Sequence, residues 1–414
     1  MGFYSFSYTL PLFFLLVGFW IKHSENFRFR DCAFIGLLSI IIILFHIMTF
    51  FITGIFFMTF QLHKFIIECR DLPTARPFPW RDAGKIFLSR VFLPSLSLLP
   101  SVIIAFLFFM SQGGKSSGLR LDFNFSLAYL SSFGRSEDFV YVLFQGFLLI
   151  LFVKLNKWDL FNIFRLNKYY ILLAAYALLF SIAPLQVSGG SFFPQRLVIF
   201  VYIALILCLG SLEFTANLIK TIMLTSVFVS SMLLALHSVK YQEINTYMDE
   251  YLSAGQLIKP GTVFLPICFS PEGQSRDHTP LSTRVLPFLH ASGYIAAENG
   301  NINLANYEAS GNLFPTKFRE NLDPYRFIGP INWLDGQIDF LTYPQRTGGE
   351  IDYVMLWGPE NPRIPPEVIQ SIYRQLGKGY DLIYESEHKN MRLYKNNSSR
   401  QLWENRDSRV PFTK

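Results

Sequence analysis

Few residues of this chain are of a type that does chemistry, and most of them stand at the ends of apolar runs. His46 lies inside the apolar stretch 32–60, with Thr49 and Thr53 three and seven residues on. An imidazole there is suited to holding a lipid phosphate or moving a proton, and equally to closing a helix end against a neighbouring helix or water. The loop 187–197, VSGGSFFPQRL, puts Arg196 at the start of the next apolar run. A guanidinium grips phosphate or carboxylate through two parallel hydrogen bonds, so an isoprenoid-phosphate headgroup fits this position. A snorkelling interfacial arginine is the plain alternative. Asp122, Glu137 and Asp138 are the carboxylates of segment 112–138. They are candidates for a general base, or for the solvated face of a helix lying on the membrane surface. Farther on, Arg276, Asp277 and His278 follow an apolar strand and His290 comes next. Ligands gather at such strand ends, and charged surface loops look the same.

The chain lacks GxSxG, a P-loop, a strand followed by GxGxxG, and HExxH. Its four cysteines, Cys32, Cys69, Cys208 and Cys268, form no CxxC or Cys/His cluster, so no metal site and no cofactor are implied. Only Cys268 lies beyond residue 239, which excludes a disulfide within the C-terminal part.

These residues are set in a chain of 414 residues that is 51% hydrophobic and 16% charged, with 44 phenylalanines. That balance excludes a soluble enzyme, a disordered chain and a fibrous repeat, and indicates a polytopic membrane protein. Residues 1–239 carry 18 Lys and Arg against 10 Asp and Glu, whereas residues 240–414 carry 18 against 20. The basic excess therefore sits in the loops flanking the apolar runs. No basic stripe with interleaved aromatics suggests nucleic acid.

About 20 apolar residues cross a bilayer core. Spans are expected near 4–21, 91–111, 139–153, 169–185, 197–213 and 221–238, while 32–60 is either one tilted helix or a pair broken near His46. The break divides the loop Lys and Arg residues 14 against 4 between the two sides, and a single span divides them 11 against 7. The positive-inside rule thus favours the break and an outside N-terminus. The expected fold is a helical membrane domain of seven to eight spans over 1–239, then a small extracytoplasmic α/β domain over 240–395 and a polar tail over 396–414. In the α/β domain we expect a helix over 241–254, a strand over 263–269, a helix near 284–298 and a strand over 352–358. A helix opened by Pro365-Pro366 and two strands within 382–395 complete it. That order suggests a partly parallel sheet.

Several stretches carry a family resemblance: the opening GFYSFSYTLPLFFLLVGFWIK, the later LFH, the loop GGSFFPQRL, and HASGYIAAENG, DYVMLWG and DLIYES…RLYK in the C-terminal part. Together they resemble the C-terminal portion of bacterial GT-C-type glycosyltransferase-like membrane proteins. The resemblance implies sugar transfer from a polyprenyl-phosphate-linked donor at the outer face of the bacterial inner membrane, with Arg196 and His46 lining the lipid-phosphate cavity. In that superfamily an Asp or Glu in the first large outer loop deprotonates the acceptor. Here Glu25 and Asp31 fall in a short loop assigned to the inside, so the acid has no matching position. Either the acid-bearing half lies elsewhere, or the chain is a non-catalytic scaffold or glycan-lipid-binding subunit of a cell-envelope assembly system. Its expected partners are membrane lipids, the lipid-linked sugar and a further membrane protein.

Overall fold

The structure is a computed structural model that describes residues 4–24, 27–72, 80–111, 133–155, 167–183, 186–187, 190–191, 193–310, 316–332 and 338–397. It divides into two compact units. One comprises residues 2–130 and 139–226, the other 131–138 and 227–414.

The first unit is helical. Helices α1 (Tyr4–His23), α2 (Phe29–Phe45) and α3 (Ile47–Arg70) are joined by short connections. The chain does break at His46, which is extended (φ −160°, ψ 106°) between α2 and α3, so 32–60 is not one helix. Helix α4 (Trp80–Phe87) runs through a π-turn at Leu88–Phe92 and a helical turn at Leu93–Leu96 into α5 (Leu99–Ser111). The axis bends by 55° there, where Pro94 and Pro100 interrupt the backbone ladder. Helices α6 (Arg135–Leu155) and α7 (Lys168–Ile182) follow, then a hairpin of β1 (Gln186–Val187) and β2 (Gly190–Ser191), then α8 (Phe193–Gly210) and α9 (Ala216–Ser253).

Five of the described helices are long and apolar enough to cross a membrane, six if the bent pair counts as one span. Helix α7, with 15 residues, is a shorter apolar helix, and α2 has 17. At 1.5 Å per residue these two reach only about 22–26 Å. The chain is therefore mostly helical, with several candidate membrane spans.

Aromatic packing fills this unit: Phe13, Phe56, Phe57, Tyr176 and Phe200 are all buried in one cluster. The few polar groups inside it bond across helices. Ser39 (α2) meets Ser101 (α5) at 2.7 Å. Tyr176 (α7) donates to the Ile52 carbonyl (α3) at 3.0 Å. Ser95 donates to Gln61 at 2.8 Å.

The second unit is built on a five-stranded mixed sheet of order β4-β3-β5-β7-β6. Its strands are β3 (Val263–Cys268), β4 (Ile302–Asn303), β5 (Tyr353–Trp357), β6 (Tyr380–Glu385) and β7 (Met391–Asn396). Strand β3 is parallel to both β4 and β5, and β7 is antiparallel to β5 and β6. Every residue of β5 is buried. Two helices, α10 (Ser292–Asn299) and α11 (Pro366–Gly379), complete the α/β arrangement. Helix α11 begins at the expected Pro365-Pro366, where a missing N–H costs nothing. The helix expected over 284–298 starts only at Ser292. Pro287 accounts for the difference, since a proline disfavours helical backbone at the residue before it.

Candidate functional site

In the helical unit the chemistry-bearing residues meet where α3 begins. The His46 N–H still bonds back to the Ile42 carbonyl at 2.8 Å, closing α2. As the residue capping α3, His46 supplies no side-chain bond to the backbone N–H groups of that helix's first turn. The opening N–H groups of a helix have no acceptor within it and carry a partial positive charge, which favours an anion. His46 Nδ1 lies 3.3 Å from Thr49 Oγ1. Thr49 meets Thr9 of α1 at 2.8 Å, and Thr9 in turn donates to the Phe6 carbonyl at 2.6 Å. Phe6 stands edge-on to the imidazole, with ring centroids 5.2 Å apart. Phe6 also stands edge-on to Phe200 of α8, with centroids 6.1 Å apart, one helical turn past Arg196.

The structure thus sets His46 and the helix that carries Arg196, 150 positions apart in sequence, on either side of Phe6. Around them are a helix N-terminus, two buried threonine hydroxyls and an aromatic edge. This set can bind an anion of phosphate size: Arg196 supplies full charge, the start of α3 supplies oriented N–H groups, and His46 supplies one donor or acceptor. Thr9 was not legible beforehand, because one hydroxyl inside YSFSYTLPLFF carries no signal of its own.

The carboxylates are engaged differently. Asp122 lies outside the described residues. Glu137 and Asp138 occupy the first turn of α6, where acids complement the helix dipole. Glu137 is buried, accepts the Phe133 N–H at 3.3 Å and stands 3.5 Å from His237 Nε2 on α9. Asp138 pairs with Arg284 at 2.6 Å. Phe133 packs edge-on to His237 and Tyr241 and accepts the Thr283 N–H at 3.2 Å. Both acids therefore fasten residues 133–138 within the second unit. His237 and Arg284 lie 100 and 146 positions from their acids, and no local pattern announces such pairs.

At the carboxyl ends of β3 and β5, where ligands collect in open sheets, there is no room. Phe288 and Trp357 stack with centroids 4.7 Å apart. A Cβ on Gly358 would stand 2.6 Å from Ser270 Cβ. Arg276 turns instead to His388 (2.8 Å), His278 contacts Gln274, and His290 lies against Tyr307. Burial lowers the His290 imidazole pKa below its usual value. Among the described residues, no group of three His, Cys, Asp or Glu side chains could hold a metal ion.

No family model matches the chain, and no curated protein matches it either.

Proposed function

We propose that this membrane protein binds the phosphate of a polyprenyl-phosphate-linked sugar at the end of its helical unit where α3 begins. The supporting observation is that Phe6 packs against both His46, at the start of α3, and Phe200 of α8, the helix that Arg196 opens. A phosphate monoester or diester suits a site that offers a guanidinium and helix-start N–H groups better than a neutral lipid does. Charge distribution supports the orientation. Lys22, Arg28, Arg30, Lys64 and Arg70 cluster about the far ends of α1 and α3 and the start of α2, while Arg196 stands at the His46 end. By the positive-inside rule the His46 end faces away from the cytoplasm, and the same partition assigns the α/β unit to the outer side of a bacterial inner membrane.

Transfer of the carried sugar, as in the GT-C-type enzymes that the sequence resembles, requires a carboxylate base as well as a phosphate grip. The engagement of Glu137 and Asp138 within the second unit favours the second reading, a non-catalytic glycan-lipid-binding subunit. Replacing Asp122, Glu137 and Asp138 together separates the two: transfer is abolished under the first reading, and function is retained under the second.

The binding test uses the full chain in lipid nanodiscs with C55 polyprenyl phosphate and the matching uncharged polyprenol as probes. The phosphate should bind the parent more tightly than the alcohol. Arg196→Ala should weaken phosphate binding about 10- to 100-fold, the range for losing one charge-assisted bidentate contact. Equal binding of the two lipids, or undiminished binding by Arg196→Ala, would refute the assignment.

A further inference from the structure

We infer that a polar cleft in the α/β unit is a saccharide subsite that takes neutral or amino-substituted sugar rings. The cleft holds about 420 Å³, within the range of small-ligand sites. One wall is a single face of α9, made by Glu243, Thr246, Tyr247, Glu250 and Ser253. Their spacing of three, four, seven and ten residues puts them in one row. The opposite wall is the β6–β7 hairpin, with Tyr384 and Glu387 at its rim.

Every lining residue carries a hydrogen-bonding group and none is aliphatic. That suits a polyhydroxylated ring and not an acyl chain. Three carboxylates stand against the Arg276 guanidinium, the His388 imidazole and Lys240, which pairs with Glu243 at 2.6 Å; the remaining acidic excess disfavours a phosphate or uronate and favours a neutral or amino sugar. Tyr247 and Tyr384 border the cleft, and a tyrosine's ring and hydroxyl together can receive a sugar's C–H face and its rim.

The walls are fixed before any ligand arrives. Glu250 accepts from Ser386 Oγ at 2.5 Å and from Asn390 Nδ2 at 3.2 Å, tying helix to hairpin. Tyr384 donates to Ser253 at 2.8 Å, and Arg276 meets His388 at 2.8 Å across 112 positions. Such preorganisation lowers the ordering cost of binding. Glu243 follows the last apolar residue before the cleft, Val239, by one helical turn. This wall of the cleft therefore extends from about 6 to 21 Å along α9 past Val239. This subsite uses none of the residues of the phosphate site.

The test applies the full chain in nanodiscs to an array of soluble oligosaccharides of matched length: neutral, amino-substituted and acidic. Neutral or amino-substituted members should bind at least tenfold more tightly than acidic ones. Tyr247→Ala and Glu387→Gln should each reduce that binding at least tenfold, while Glu387→Lys shifts preference toward acidic members. Arg196→Ala should leave the array pattern unchanged, which separates failure of the phosphate site from failure of this one. Absence of binding across the array, a preference for acidic members by the parent, or variants that bind like the parent would each overturn the inference.

Discussion

Gly358 and Gly300 have the same backbone angle, φ +63°, in very different surroundings. Gly300 closes helix α10, and a Cβ there would meet nothing within 4 Å. Gly358 follows β5, and its Cβ would lie 2.6 Å from Ser270 Cβ and 3.3 Å from the Ser270 nitrogen. Alanine at position 300 therefore carries only the left-handed backbone cost, about 1 kcal/mol. Alanine at position 358 carries that cost plus overpacking of about 1–3 kcal/mol, for a total of about 2–4 kcal/mol. Ser270 has little freedom to yield: its carbonyl accepts the Trp357 indole N–H at 3.1 Å, and Asn361 holds the neighbouring Phe269 carbonyl at 2.6 Å. Hydrogen exchange of β3 and β5 peptides in the full chain reads the loss. Gly300→Ala should reduce protection about fivefold and Gly358→Ala about 30- to 800-fold, given about 1.4 kcal/mol per decade. Because Gly358 N–H donates to the Asn390 carbonyl at 2.8 Å, the Gly358 variant should also loosen the hairpin that forms one wall of the cleft. Equal losses for the two variants would refute the steric reasoning, since they share everything but the packing.

Other outcomes follow from the same geometry. Tyr176→Phe removes the bond to the Ile52 carbonyl between α7 and α3 and should cost about 0.6 kcal/mol, read as a small fall in thermal stability in detergent. Arg284→Gln breaks a partly exposed pair with Asp138; it should cost about 1 kcal/mol or less and increase exchange at 133–138 more than in the sheet. His290 is half-buried with its pKa lowered, so the unfolded chain binds more protons than the folded one as pH falls below 6.5. The stability of the α/β unit should therefore fall as pH drops from about 6.5, and His290→Phe should flatten that slope in a pH series of chemical melts.

Much of the fold could be read from the chain. VFLPICF and DYVMLWG are apolar runs of strand length, and they became β3 and β5. The charge partition chose a broken 32–60 over a tilted helix, and the break falls at His46. Pro287 could have corrected the helix expected over 284–298, but the apolar spacing of RVLPFLHASGYIAAE hid its effect. The candidate site was legible only as separate residues. Arg196 and His46 each stood out as polar groups beside apolar runs, yet Thr9 and His237 did not, because their meaning lies in partners 40 and 100 residues away. The cleft was missed for another reason. Glu243, Tyr247 and Glu250 lie in the helix expected over 241–254, and no local pattern announces the β6–β7 hairpin that faces them.

The paired hydroxyls inside the helical unit carry a consequence beyond their small energies. A surface of phenylalanine and leucine packs acceptably at many offsets, so apolar contact alone leaves the sliding of one helix along another weakly determined. Thr9 with Thr49, and Ser39 with Ser101, act as alignment keys. A slip of one turn, about 5.4 Å, would break both cross-helix bonds in a medium without water, leaving Thr9 and Ser39 only their bonds to the Phe6 and Gly36 carbonyls of their own helices. The apolar residues of α1, α2, α3 and α5 can therefore vary in identity while these four positions fix the vertical alignment. It is that alignment that sets the start of α3 level with Phe6.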